Sequence, residues 1–160
     1  MKHLLFLLAL VVSASALADA AATVTVDKPF ARKAMKAQRN SAAFMTLHNS
    51  GPAVAIVAAE SPVADIVELH THVHDNGVMR MRKIDKIDLP AGASVTLQPG
   101  GLHVMLLGLK KDLNEGDAVS VTLVFDDGSR KTIEAPVRMV MRPKMKMKGM
   151  DHSGMKMQTH

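Results

Sequence analysis

The hydrophobic positions of this chain fall in short runs rich in Val, Ile, Thr and Leu. They stand at Ala22–Val26, Ser41–His48, Val54–Ala59, Ile66–His74, Val78–Ile87, Ser94–Leu97, Leu102–Leu107, Ala118–Phe125 and Arg130–Val137. Turn-forming clusters separate them: Asn49-Ser50-Gly51-Pro52, Asp75-Asn76-Gly77, Leu89-Pro90-Ala91-Gly92, Pro99-Gly100-Gly101, Glu115-Gly116-Asp117 and Asp126-Asp127-Gly128. Seven to nine short strands at this spacing predict an all-β fold, a β-sandwich of Greek-key type. The sharpest helical segment is Lys110–Asn114, and it is short. No repeat of solenoid length interrupts the pattern.

Both ends depart from it. Lys2, the apolar run Leu4–Val12 and Ala16-Leu17-Ala18 follow the order of a secretory signal peptide, with cleavage after Ala18 and Asp19 as the first mature residue. The run is shorter than the ~20 residues that span a bilayer. A buried N-terminal helix is the alternative reading. From residue 138 the core-forming period stops, and the segment 138–160 reads as a disordered tail rich in Met and Lys. The expected organisation is therefore a leader (1–18), a β domain (19–137) and a basic tail (138–160).

Charge follows the same division. Residues 19–137 hold 13 basic and 14 acidic side chains, whereas 138–160 hold six basic residues and one acid. The pI of about 9.6 thus belongs to the tail. Trp and Tyr are absent and only four Phe occur, so the platforms that stack nucleobases are missing; no nucleic-acid partner is expected. The chain has no Cys. That removes disulfides, thiolate metal sites, a cysteine nucleophile, a blue-copper centre and a thiol for a lipid anchor. Against these absences stand 13 Met and 8 His.

Several of these lie on one strand pair. Asn76-Gly77 is a strong hairpin signal, because a type I′ turn needs positive φ at both central residues. A two-residue loop pairs Asp75 with Val78, which sets His74 opposite Met79 and His72 opposite Met81, with His70 diagonal to Met81. Strand side chains alternate, so His70, His72, His74, Met79 and Met81 share a face. Opposed Cβ atoms stand about 4.5–5.5 Å apart and diagonal ones about 7–8 Å, spans one metal ion can bridge. A three-residue loop would put Arg80 and Arg82 there instead. Downstream, His103 and Met105 share a face after Gly100-Gly101. Taken singly, Met81 and Met105 read as core filler and each His as a hydrogen-bonded surface residue. Together, imidazoles and thioethers without thiolate or carboxylate favour Cu(I).

The spacing His70–x10–Met81–x21–His103–x–Met105 resembles the motif of periplasmic copper chaperones of the PCu(A)C type. Similar segments surround it, among them Val67-Glu68-Leu69-His70, Pro99-Gly100-Gly101-Leu102-His103-Val104-Met105-Leu106 and Ser41-Ala42-Ala43-Phe44-Met45-Thr46-Leu47-His48-Asn49, and the likeness covers about residues 22–137. The resemblance implies a cupredoxin-like β-sandwich or barrel. It implies Cu(I) held by His70, Met81, His103 and Met105, and a role in supplying copper for cytochrome c oxidase assembly. The implied partners are a Sco-type thiol protein or the CuA subunit. One departure stands out: relatives often carry Met just after the first His, where this chain has Thr71 and His72. His72 replaces or supplements a ligand in that reading.

The tail adds Met139, Met141, Met145, Met147, Met150, His152, Met155, Met157 and His160. Its Met150-Asp151-His152-Ser153-Gly154-Met155 segment is similar to the Met-His stretches of bacterial copper-resistance proteins. Met150, His152, Met155, Met157 and His160 are expected to hold a second ion, with the imidazoles able to take Cu(II). A solvated basic extension is the alternative. The expected function is delivery of Cu(I) in the periplasm without catalysis and without a stable membrane anchor. Periplasmic copper sequestration shares the same ligands, and the rich tail favours it. A histidine-brace oxygenase needs an N-terminal His, where Asp19 is expected. A metal-free secreted sandwich is the remaining reading.

Overall fold

The computed structural model describes residues 19–140 apart from Asn76. The expected leader and the tail beyond Val140, including Met150, His152, Met155, Met157 and His160, lie outside the described residues. Asp19 caps one helical turn, α1 (Ala20–Thr23), by accepting from the Ala21 N–H. Ten strands follow: β1 (Val24–Arg32), β2 (Asn40–Asn49), β3 (Val54–Glu60), β4 (Ala64–Asp75), β5 (Val78–Lys83), β6 (Ile87–Leu89), β7 (Ser94–Leu97), β8 (His103–Leu109), β9 (Ala118–Phe125) and β10 (Arg130–Arg138). The all-β prediction holds.

Three local expectations change. The first strand begins at Val24, after the capped turn, and continues to Arg32. It passes Pro29 by a register shift between Asp27 and Phe30, with Lys28 at φ 48°; an irregularity of this kind accommodates a residue without an N–H. The run Val78–Ile87 is two strands, not one. β5 stops at Lys83, and Ile87–Leu89 pairs with β3 instead. Lys110–Asn114 is not helical. Its backbone is claimed by neighbours: the Lys110 N–H bonds to Val63, and Leu113 exchanges both bonds with Ala34.

The strand order is β5-β4-β8-β2-β1-β10-β9-β3-β6, with β7 beside β2. All pairings are antiparallel except β1 with β10, which joins the two halves in parallel at Ala31–Val137 and Arg32–Arg138. The sheet folds over one core. Val104, Leu106 and Leu69 from one half pack in the same buried cluster as Val121, Leu123, Ile56 and Phe125 from the other. That enclosure is the cupredoxin-like β-sandwich. Apolar burial of a Leu, Ile or Phe side chain stabilises by about 1.5–3 kcal/mol, so this cluster is what holds the two halves together.

β8 is buried on both faces. Val104 and Leu106 point into the main core. Met105 points the other way, into a smaller cluster with Ala42 and Phe44, flanked by Phe30 and Leu107. This outer face of the β5-β4-β8-β2 half also carries His70, His72 and His103.

Candidate metal centre

The hairpin sets the register. Asp75 pairs with Val78, Gly77 stands at φ 79°, and the pairs His74–Met79 and His72–Met81 follow. This is the two-residue loop expected from Asn76-Gly77, so Arg80 and Arg82 face the opposite side. On the other edge of β4, His70 pairs with His103 and Glu68 with Met105. Paired residues share a face, so β4, β5 and β8 bring His70, His72, Met81, His103 and Met105 to one surface. The rings are close: centroids are 5.2 Å apart for His72–His103 and 5.7 Å for His70–His103.

Two ring nitrogens decide what this cluster can do. The Glu68 carboxylate accepts from His70 Nε2 at 2.8 Å. The Gly101 carbonyl accepts from His103 Nδ1 at 3.0 Å. Neither oxygen can donate, so in each neutral ring the opposite nitrogen carries a bare lone pair. Those nitrogens, His70 Nδ1 and His103 Nε2, are buried and have no hydrogen-bond partner. An unpaired buried polar atom costs about 1–3 kcal/mol, which a ligand on it would relieve. A carboxylate or carbonyl behind a ring is the usual support of a metal-ligating His.

Oxygen and nitrogen ligands alone do not complete a set. Among the described residues no three His, Asp or Glu side chains are placed to hold an ion. Met81 and Met105 add thioethers to the same face. Met105 is 7% exposed and fixed by Phe44, whereas Met81 on the edge strand is 44% exposed. His72 faces Gly101 as well, with Nδ1 3.4 Å from its carbonyl oxygen.

The electrostatics favour the neutral form of His103. Burial pushes the His103 imidazole below its ordinary value, and His72, His70 and Arg32 add to this; the Gly101 bond opposes it. The His70 hydrogen bond, then Lys83, holds the Glu68 carboxyl below the usual range. Lys83 donates to Glu68 at 2.9 Å and is itself raised by that carboxylate. Lys83 thus tethers the acceptor that orients His70.

Sequence reasoning placed the His and Met side chains of this face together but gave no role to Glu68 or to the Gly101 carbonyl. The signal for Glu68 was present, since it stands two residues before His70 and so on the same face of the strand. Nothing in the composition points to a carbonyl.

Comparison with known proteins finds relatives of this sequence and this fold. The LpqE-like family model matches residues 24–137. A protein of Leifsonia xyli named as a lipoprotein, Lxx21020, is 42% identical over 100 residues, which cover 61% of this chain and 60% of that one. The chain therefore spans under two thirds of that relative's length. The copper-bound PCuAC domain from PmoF2 superposes with a TM-score of 0.61 at 26% identity, covering 74% of this chain and 94% of that domain. Apo-DR1885 from Deinococcus radiodurans superposes with a TM-score of 0.59 at 34% identity, covering 88% and 98%. Its Cu(I) form also matches, with a TM-score of 0.52 over 71% and 78%.

Proposed function

The chain belongs to the LpqE-like, PCuAC family, and from that membership we propose a copper chaperone that carries Cu(I) on the outer face of β4, β5 and β8. The ligands in this reading are His70, Met81, His103 and Met105, with His72 beside them. The observation that carries it is the pair of buried, unpartnered nitrogens on the directly opposed His70 and His103. Copper-bound relatives of the same fold support the choice of metal.

The donor set suits a carrier. Thioethers bind a soft ion without losing a proton, and neutral imidazoles complete the set without adding charge. Three donors sit on packed strands, while Met81 sits on an exposed edge. An acceptor with thiolates can replace the Met81 sulfur first and take the ion stepwise, with copper remaining Cu(I) throughout. The proposed acceptors are a Sco-type protein or the CuA subunit of cytochrome c oxidase. Export to the periplasm, with cleavage after Ala18, belongs to the same proposal. Among the described residues no helix is long and apolar enough to cross a membrane.

The tail fits as a second donor. Its root lies on the site's own face: Arg138 stands 5.8 Å from the Phe30 ring centre, Phe30 is 5.0 Å from Phe44, and Phe44 is 6.1 Å from His103. A tethered segment raises the local concentration of its ligands. In this reading Met150, His152, Met155, Met157 and His160 take a second ion, Cu(I) on sulfur or Cu(II) on imidazole.

X-ray absorption of the copper-loaded full-length protein tests the ligand set. A first shell of mixed sulfur and nitrogen, losing sulfur in Met81→Leu and Met105→Leu, is expected. A shell of nitrogen and oxygen alone would overturn it. Transfer to an apo CuA domain tests delivery; retention of the ion would favour sequestration.

A further inference from the structure

The hairpin holds a His–Met pair that the four-ligand set does not use. His74 and Met79 are directly opposed across β4 and β5, one step beyond His72–Met81 toward the turn. They lie on the ligand face by the same alternation. Both are exposed, Met79 at 51%. Met79 does not simply extend into solvent. Its Cε lies 3.8 Å from where a Cβ on Gly100 would stand. Gly100 lies in the turn before β8, so the Met79 methyl reaches that turn. Gly101, the next residue, is the one whose carbonyl faces both His72 and His103. The hairpin tip and the inner cluster thus share the Gly100-Gly101 turn as a neighbour. Its charged neighbours are turned away: Arg80 pairs with Asp75 at 3.3 Å, and both alternate onto the opposite face.

We propose that His74 and Met79 form an outer soft-metal site, distinct from the inner set, which captures Cu(I) at the hairpin tip and passes it inward past His72 and Met81. The inference rests on the inner-site reading above. One imidazole and one thioether are neutral donors suited to a soft monovalent ion. With fewer donors and open solvent on one side, this site binds more weakly than the inner one. A weaker outer site beside a stronger inner one gives the ion a downhill direction. Adjacent His–Met pairs on alternating positions keep each transfer to about the 7–8 Å diagonal spacing of a sheet. The ion exchanges one donor at a time, and its oxidation state does not change.

The test uses the full chain with methyl-labelled methionine and nitrogen-labelled histidine, titrated with Ag(I) as a redox-inert stand-in and then with Cu(I) without oxygen. Each Met methyl reports its own position, so tail methionines are read apart from Met79. The expected result is a first phase that shifts Met81, Met105 and His103, then a separate, weaker phase that shifts Met79 and His74. The double variant His74→Ala, Met79→Leu should lose the second phase, keep the first, and take up limiting Cu(I) more slowly. Met79 and His74 signals that stay still through saturation, or that move only with Met81 in one phase, would overturn the outer site. Unchanged uptake by the double variant would overturn its role in loading. Failure of the inner reading is distinct, because Met81 and Met105 would then be the signals that do not move.

Discussion

β8 and β5 present thioethers, Met105 and Met81, to the same face under opposite conditions. His103 is 2% exposed, and β8 is packed above and below by the two clusters. β5 is an edge strand on which all six residues are exposed. One strand holds its donors in fixed positions, and the other presents them to whatever approaches. The proposed carrier would use both: a rigid half that fixes geometry before the ion arrives, and a yielding half through which the ion can be exchanged. A site built wholly on β8-like strands would hold copper but hinder its release. One built wholly on edge strands would have to order its ligands at the moment of binding.

The contrast can be broken most severely at its rigid end. His103→Ala removes the buried Nε2 donor, and Cu(I) affinity should fall by more than the ~10–100-fold that loss of a supporting residue brings. Competition with a Cu(I) chelator measures this, with circular dichroism separating lost ligation from lost fold. Glu68→Gln strikes the support instead. The His70 proton loses its charged acceptor, so affinity should fall within about 10–100-fold, and His70 ring nitrogen shifts should show mixed tautomers. Unchanged shifts would mean that Glu68 does not set the ring.

Met105→Leu and Met81→Leu compare the two strands with the same substitution. Both should weaken Cu(I) binding. In the apo protein Met105→Leu should cost up to about 1.5 kcal/mol, as a volume-conserving core change. Met81→Leu should stay within about 0.5 kcal/mol, as a surface change. Thermal melts check both, and equal costs would erase the distinction between packed and edge ligand.

The smallest effect expected is on pH. Burial holds the folded His103 imidazole below its ordinary 6.5. As pH falls, the unfolded chain takes up this proton before the folded protein does. The resulting stabilisation is complete above 6.5 and is lost as pH drops through the lowered folded value. The apo melting temperature should therefore fall on mild acidification, and His103→Gln should flatten that slope.

Most strands were readable from the sequence because each is a run of β-formers closed by Gly, Pro, Asn or Asp. The hairpin register was readable too, since the Asn76-Gly77 pair fixes loop length and loop length fixes parity. What escaped was decided at a distance. The break after Lys83 depends on β3 offering an edge to Ile87–Leu89. The extension of β1 past Pro29 depends on a bulge opposite β2. Lys110–Asn114 lost its helix to Ala34 and Val63. In the candidate site, the imidazoles and thioethers stood out by residue type. The buried state of His103 and the two unpaired nitrogens needed the sheet order, which places β8 between β4 and β2.

The parallel seam between β1 and β10 also orders events in time. It ties Ala31 to Val137, near opposite ends of the domain, whereas β4, β5 and β8 all fall within residues 64–109. Closing a longer loop costs more chain entropy, and sheets built on distant pairings fold in about milliseconds to seconds. The hairpin and its β8 neighbour can therefore pair early, while the seam waits for the last strand. An ion present during folding would meet the His and Met side chains before the sandwich is shut. Closure of the seam then brings Arg138 onto Phe30, on the face where His70, His72 and His103 have already been gathered.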